Sequence, residues 1–385
     1  MKCVSVLSLQ RNTEAALAEV TERAVGATGG SADLAVIFGS IHHAEILGRA
    51  SVELRRLGLA RFVLGCTGES IVGEDREVEG EPALSLWLLS HPGLKAKPHR
   101  VTFADGQLEG PSVDPQSTLI LLGDPFSFPT DEYFQRLDTA SSGLRVCGGM
   151  ASASHMPGGN RLVLQGDVYE DGAVGLEIQG GVSVRTVVSQ GCRPIGRPLI
   201  VTRVERNVIR ELGRRPALDV LRELFEELSP QEQALVQQGL HLGRVINEYQ
   251  ESFHRGDFLV RNVLGADEAG GLAISDLVRV GQTVQFHVRD AATADEDLRS
   301  LLEEACKGRN GPATAGALLF SCNGRGSRLF PHANHDVSLL HNVFGPIPVA
   351  GFFAMGELGP IGGKNFVHGF TASIALFEDD AGATP

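Results

Sequence analysis

One pattern constrains this chain more than any other, because it recurs. Leu34–Ser40 (LAVIFGS) is an apolar run of strand length, Ala44–Leu57 places apolar residues at helical spacing, and Phe62–Cys66 (FVLGC) returns to strand character. A glycine-rich turn and a further strand, Ala83–Leu89, follow. The same order returns in Thr118–Asp124, a helix over Asp131–Ala140, Leu144–Gly149, and later strands near Arg161–Gln165 and Ala173–Ile178. It comes a third time as Ala317–Asn323, a short helix near Asp336–Val343, Pro348–Phe353 and Thr371–Phe377. On this register Gly65, Gly148 and Gly351 are equivalent, and Gly68-Glu69 is echoed by Gly356-Glu357 after a two-residue insertion. The competing reading is three unrelated β-α-β units that share only the grammar of the fold.

A chain of 385 residues exceeds one ordinary core, so two domains or a repeated unit are expected. Between the second and third units, Pro216–Leu228 is apolar at helical spacing, and Ser229-Pro230-Gln231-Glu232 reads as a capping box. We place the boundary there, with one domain over 1–228 and the other over 229–385. Thr293-Ala294-Asp295-Glu296 reads as a second capping box opening a helix towards Cys306. The fold class is α/β: repeated β-α-β-β units forming layered sheets flanked by helices, in two pseudo-related halves.

The net charge of −13 opposes phosphate backbones and anionic lipid, so nucleic acid is not an expected partner. No apolar run reaches the ~20 residues of a membrane helix, and the start MKCVSVLSLQRN is too short for a signal peptide. A cytoplasmic location is expected, with no membrane partner. The six cysteines lie far apart without a CxxC pair, and His42-His43 lacks acidic or cysteine companions, so reduced thiols and no metal are expected. Neither a G-x-x-x-x-G-K-[ST] loop nor a G-x-G-x-x-G turn after a strand is present, and no cofactor is expected.

In α/β sheets, ligands sit at the carboxyl ends of strands. That rule selects His42-His43 with Cys66-Thr67, then Asp124 with Gly148-Gly149, then Cys322-Asn323-Gly324-Arg325-Gly326 with Phe352, Phe353, Met355 and Glu357. Arg325 has the planar fork of a carboxylate or phosphate clamp, or it pairs with Glu357 as a structural group. Cys322 becomes a nucleophile only with a base beside it, which the sequence does not place. Phe353 and its neighbours supply either pocket wall or core. The candidate ligand-binding set is Cys322, Asn323, Arg325, Phe353, Glu357, Gly148, Gly149, Cys66 and Thr67, with no catalytic residue beyond the weak candidate Cys322.

The segment ALLFSCNGRGSRLF and the later IPVAGFFAMGELGPIGGKNFVHGFTASIALF resemble the C-terminal FIST domain, with its FxCxGRG stretch followed by GFF-x-x-GE and Gly-Pro. The landmarks are Phe320, Cys322, Gly324, Arg325, Gly326, Gly351, Phe352, Phe353, Gly356, Glu357, Gly359, Pro360, His368 and Thr371. Val280–Leu298 is also similar to that domain, and Leu34–Leu228, with GCTGES, CGGMASAS and RPALDVLREL, resembles the N-terminal FIST domain. Ala354-Met355 departs from the family's usual residues. The resemblance implies an intracellular sensory module that binds a small ligand, such as an amino acid or other small carboxylate, with output through a separate signalling protein. Two alternatives stay open, a cysteine-dependent enzyme using Cys322 and a protein-interaction adaptor.

Overall fold

The computed structural model describes residues 1–250, 252–253, 256–307 and 313–380. The chain divides into two compact units, one of Met1–Ser189 with Leu298–Pro385 and one of Gln190–Asp297. This division differs from the sequence halves 1–228 and 229–385, because the third repeat packs with the first two.

The first repeat runs β1 (Lys2–Ser8), α1 (Thr13–Thr28), β2 (Leu34–Ser40), α2 (Leu47–Arg56), β3 (Phe62–Gly68), the hairpin β4 (Ser70–Gly73) and β5 (Arg76–Glu79), and β6 (Leu84–Ser90). The second runs β7 (Leu94–Ala104), β8 (Gln107–Glu109), β9 (Thr118–Gly123), α3 (Thr130–Ala140), β10 (Arg145–Met150), the hairpin β11 (Leu162–Leu164) and β12 (Asp167–Tyr169), and β13 (Ala173–Gly180). The third begins with β14 (Val182–Ser189) and is then interrupted.

The interruption is the smaller unit: β15 (Cys192–Glu205), β16 (Val208–Leu212), β17 (Arg215–Pro216), α4 (Ala217–Glu227), α5 (Pro230–Gln238), β18 (His241–Val245), β19 (Phe258–Ala266), β20 (Leu272–Ile274) and β21 (Thr283–Arg289). Its seven strands form one sheet, with a core that includes Ile195, Val201, Leu242, Val284 and Phe286. The Ser229 capping box opens α5 as expected, since Ser229 Oγ accepts from Glu232 N–H and Glu232 reaches back. The next helix, α6 (Ala291–Lys307), starts earlier than the Thr293 reading. Asp290 is its cap, accepting from Thr293 N–H at 2.7 Å, because an Asp carboxylate reaches that orphan donor. The third repeat then resumes with β22 (Gly316–Cys322), α7 (His335–Phe344), β23 (Val349–Ala354), the hairpin β24 (Glu357–Ile361) and β25 (Lys364–His368), and β26 (Ala372–Asp379).

Each repeat makes the same four-strand sheet, ordered β1-β6-β2-β3, β7-β13-β9-β10 and β14-β26-β22-β23, and lends its hairpin to another repeat. Hairpin β4–β5 extends the third sheet, β11–β12 the first and β24–β25 the second, a cyclic exchange. The registers coincide row by row. Val6, Leu86, Ile37, Gly65 and Val163 form one row. His99, Gly175, Leu121, Gly148 and Leu358 form its equivalent, as do Val187, Ile374, Leu319, Gly351 and Val72. The three glycines are glycine for one reason. A Cβ there would stand 2.3, 1.8 and 1.7 Å from the carbonyl oxygens of Ile37, Leu121 and Leu319.

The inner faces of the sheets share a core that includes Phe38, Trp87, Ile120, Leu176, Phe320, Phe352 and Phe377. Outer faces lie under helices: α1 and α2 on the first sheet, α6 and α7 on the third, and α3 on the second. The second repeat has no counterpart of α1, and there two equivalent apolar positions are replaced by His99 and Glu177. They form a buried pair, with His99 Nε2 2.6 Å from Glu177 Oε2.

Candidate functional site

The row alignment makes Ser40, Asp124 and Cys322 equivalent, each at or just past the end of its repeat's second strand. Each N–H bonds an equivalent carbonyl, of Ala83, Gly172 and Thr371. Ser40 and Asp124 are 1% exposed and closed by local hydrogen bonds. Cys322 is half-buried, and it is the only thiol among the three. Its sulfur accepts two backbone N–H groups, from Gly324 at 3.4 Å and from Phe370 at 3.1 Å. Phe370 reaches it by taking φ 65°, a left-handed conformation that costs a non-glycine residue about 1–2 kcal/mol. Arg325 lies close enough for its charge and the Cys322 sulfur to interact. The next residue, Thr371, donates its N–H to Glu357 Oε2 at 3.0 Å, and Glu357 is fully buried. Glu357 is also the register partner of Gly149, so the exchanged hairpin joins two predicted site residues from different repeats.

Arg325 behaves otherwise than as an open clamp or a partner of Glu357. Its side chain is 0% exposed and its fork is taken by Asp336, with Nε to Oδ2 and Nη2 to Oδ1 both at 2.7 Å. Ser321 Oγ also donates to Asp336 Oδ2 at 2.8 Å, and His335 Nδ1 lies 2.9 Å from Oδ1. The guanidinium sits 5.1 Å from the Phe330 ring centroid, and its Nη1 has no hydrogen-bond partner. Burial by itself would raise the Asp336 carboxyl. The charge and hydrogen bonds of Arg325 outweigh it and hold that carboxyl well below its usual range. The pair therefore fixes the Cys322–Arg325 turn onto the start of α7, with a fully satisfied carboxylate as the anchor.

Glu77, on the hairpin lent by the first repeat, completes this buried network. Its Oε1 accepts from Val337 N–H at 2.8 Å in the first turn of α7, and Oε2 has no partner. Burial and the negative charge of Asp336 push its carboxyl up to about 8, against the opposing Val337 N–H and Arg325.

The other predicted residues serve the fold. Cys66 lies in the shared core, where burial pushes its thiol well up, so it is an inert hydrophobe. Thr67 is buried and exchanges hydrogen bonds with Arg161. Gly148 and Gly149 are sheet positions of close approach, and a Cβ on Gly149 would meet Ala354 at 2.8 Å. Phe353 faces the helix side of its sheet, because alternation sends Phe352 into the core and Phe353 under α6 and α7. The strand ends do converge, with Ser152 N–H bonding Thr67 O and Met355 N–H bonding Met150 O. Beneath them the Phe38, Phe320 and Phe352 rings fill the space. Asn323 is half-buried, and its carbonyl accepts from Arg328, which also pairs with Glu69.

Sequence reasoning missed Asp336, Glu77, Arg328 and the Phe370 N–H. Asp336 carries one signal, an acid in the first turn of a predicted helix, but nothing in that signal points to Arg325.

The FIST N domain matches residues 33–215 and the FIST C domain matches residues 217–360. The chain belongs to the FIST family. It is similar to the uncharacterized protein Mb0898c of Mycobacterium bovis, 44% identical over 359 residues, which cover 91% of this chain and 92% of the relative. It is equally similar to the uncharacterized protein Rv0628c of Mycobacterium tuberculosis, 44% identical over 364 residues with the same coverage. FIST domains are associated with sensory signal transduction and small-ligand binding. The Cys322, Arg325 and Glu357 cluster falls within the FIST C domain, and Glu77 falls within FIST N. Among the described residues no helix is long and apolar enough to cross a membrane.

Proposed function

We propose that this chain is a sensory module that binds a small amino-acid-like ligand at the end of the third repeat, where Cys322, Glu357 and Phe370-Thr371 meet. The observation that carries the reading is the convergence of three elements on one half-buried thiol, with a buried carboxylate one residue away. Glu357 is suited to an ammonium group. Arg325 is committed to Asp336, so the cation for a ligand carboxylate is Arg328, more than half exposed and held beside Asn323. Signal output passes to a separate partner protein.

Thermal shift against a panel of amino acids, simple amines and simple carboxylates tests this. A ligand at a hundred times its Kd stabilises by about 2.7 kcal/mol, and Glu357→Gln or Arg328→Ala should erase most of that gain. A flat response to the whole panel at millimolar concentration overturns it. The second reading, thiol chemistry at Cys322, is favoured by the two N–H donors on its sulfur. It predicts a covalent adduct on Cys322 when the ligand is electrophilic, read by intact-mass spectrometry.

A further inference from the structure

In all three sheets the outer strand of the borrowed hairpin touches the helix that follows the second strand: β12 against α2, β25 against α3 and β5 against α7. At the equivalent position β12 has Val168, β25 has Val367 and β5 has Glu77, paired with Val163, Leu358 and Val72 of the hairpin's first strand. Val168 packs closely on α2, where a Cβ on Gly48 would stand 2.5 Å from it. Valine satisfies this position twice, so a carboxyl there, buried at a cost, calls for a role beyond packing.

Glu77 holds the start of α7 at two points. Its N–H donates to Asn334 Oδ1 and its Oε1 accepts from Val337 N–H, both at 2.8 Å. Asn334, the residue before α7, takes φ 61° and makes no side-chain cap to its own helix. A carboxyl from another repeat therefore satisfies a first-turn N–H that the helix's own cap leaves open. The contact is dry, since Glu77 is 6% exposed and Arg325 and Asp336 are 0% exposed. Two buried carboxyls share one guanidinium, so the cluster carries an uncompensated negative charge if both acids ionise. Arg325 gives its fork to Asp336, while Arg325 Nη1 and Glu77 Oε2 have no hydrogen-bond partner among the described residues. An ionised Glu77 thus repels Asp336 and competes with it for the guanidinium.

We propose that Glu77 is a proton-operated latch: protonated, it holds the start of α7 and the Cys322–Arg325 turn together, and ionised, it lets them open. The latch needs no ligand, so a flat thermal-shift panel for the site above leaves it standing. Burial and then the negative charge of Asp336 raise the carboxyl to about 8. The closed state keeps a proton that the open state releases, so opening becomes easier as pH rises towards about 8 and levels off above it. The other charged or titratable groups around Glu77 are His335 on α7, Arg328 in the preceding turn, Asp75, Arg76 and Glu79 on its own hairpin, and the Arg11–Glu81 pair along the adjoining groove. A window from pH 7 to pH 9 lies above the ordinary histidine range and below that of arginine.

Hydrogen exchange of the full chain, read by peptide mass spectrometry at pH 7 and pH 9 with labelling times scaled to intrinsic rates, tests the latch. At times too short for β2 to exchange, protection over 324–338 should fall about tenfold between the two pH values. That is the linkage expected for a carboxyl at 4.5 when open and about 8 when closed. Glu77→Gln keeps a carbonyl acceptor and should remove the pH dependence, and Glu77→Val, the residue of the equivalent hairpins, should remove it too. Unchanged protection in the wild-type chain, exchange of 324–338 only together with β2, or the same tenfold fall in either variant overturns the proposal.

Discussion

Replacing Arg325 separates a structural arginine from a ligand clamp. In the structure its guanidinium gives Asp336 two hydrogen bonds of 2.7 Å, and both side chains are 0% exposed. Arg325→Ala leaves a buried carboxylate held by Ser321 Oγ and His335. Breaking a buried pair from one side costs about 3–5 kcal/mol, and the two surviving partners place this case near 3–4 kcal/mol. Urea unfolding followed by Trp87 fluorescence reads the right event, because Trp87 is the chain's single tryptophan and lies in the core shared by the three sheets. With a urea slope of about 2–3 kcal/mol per molar, the midpoint should fall by more than about 1 M. The double variant Arg325→Met with Asp336→Leu should recover at least about 2 kcal/mol, since an apolar pair leaves no charge stranded. A midpoint shift below about 0.3 M in Arg325→Ala would refute the structural assignment and return the guanidinium to ligand binding.

Glu77 makes stability depend on pH in a definite direction. Its folded carboxyl is raised from 4.5 to about 8, so the native state holds a proton that the unfolded state has released, and stability falls as pH rises from about 4.5 to 8. Each unit is worth about 1.4 kcal/mol, so the loss amounts to several kcal/mol, and Glu77→Gln should flatten it in denaturant titrations across that range. Asp336 acts in the opposite sense and below this window, its contribution being lost only as pH falls beneath the usual aspartate range. Gly351→Ala and Gly148→Ala should each yield little folded protein in expression and circular-dichroism tests, because the added Cβ meets a backbone oxygen at 1.7 or 1.8 Å. Alkylation of the native chain, mapped by peptide mass spectrometry, should modify Cys322 ahead of Cys3, Cys66 and Cys147. Burial pushes the Cys3 and Cys147 thiols up to about 12 and Cys66 well up, whereas Cys322 is half-buried under two N–H donors.

Much of the third repeat was legible in sequence. The strand, helix and strand from Ala317 to Phe353 lie where apolar periodicity places them, and the long FxCxGRG and GFF motifs identify the family without coordinates. Arg325 stands out in the sequence, but its role is not legible there. An arginine between glycines suits a ligand as well as an aspartate eleven residues on, and only burial and distance distinguish them. The first strand of each repeat is not legible in the sequence either. In β7, Leu94, His99 and Val101 are buried among polar positions, and that weak alternation reads as a loop as easily as a strand.

What the sequence by itself determined is the local grammar: which runs are strands, where Ser229 starts a helix, and that positions 65, 148 and 351 correspond in the three repeats. These follow from short-range sterics and from the periodicity of apolar residues, which a one-dimensional string preserves. The tertiary structure alone decided which sheet each short hairpin joins, that Glu77 of the first repeat lies against α7 of the third, and that Gly149 pairs with Glu357. Hairpin strands of three to five residues carry too little pattern to name a partner, and the energy of a buried charge depends on what the fold brings within a few ångströms of it.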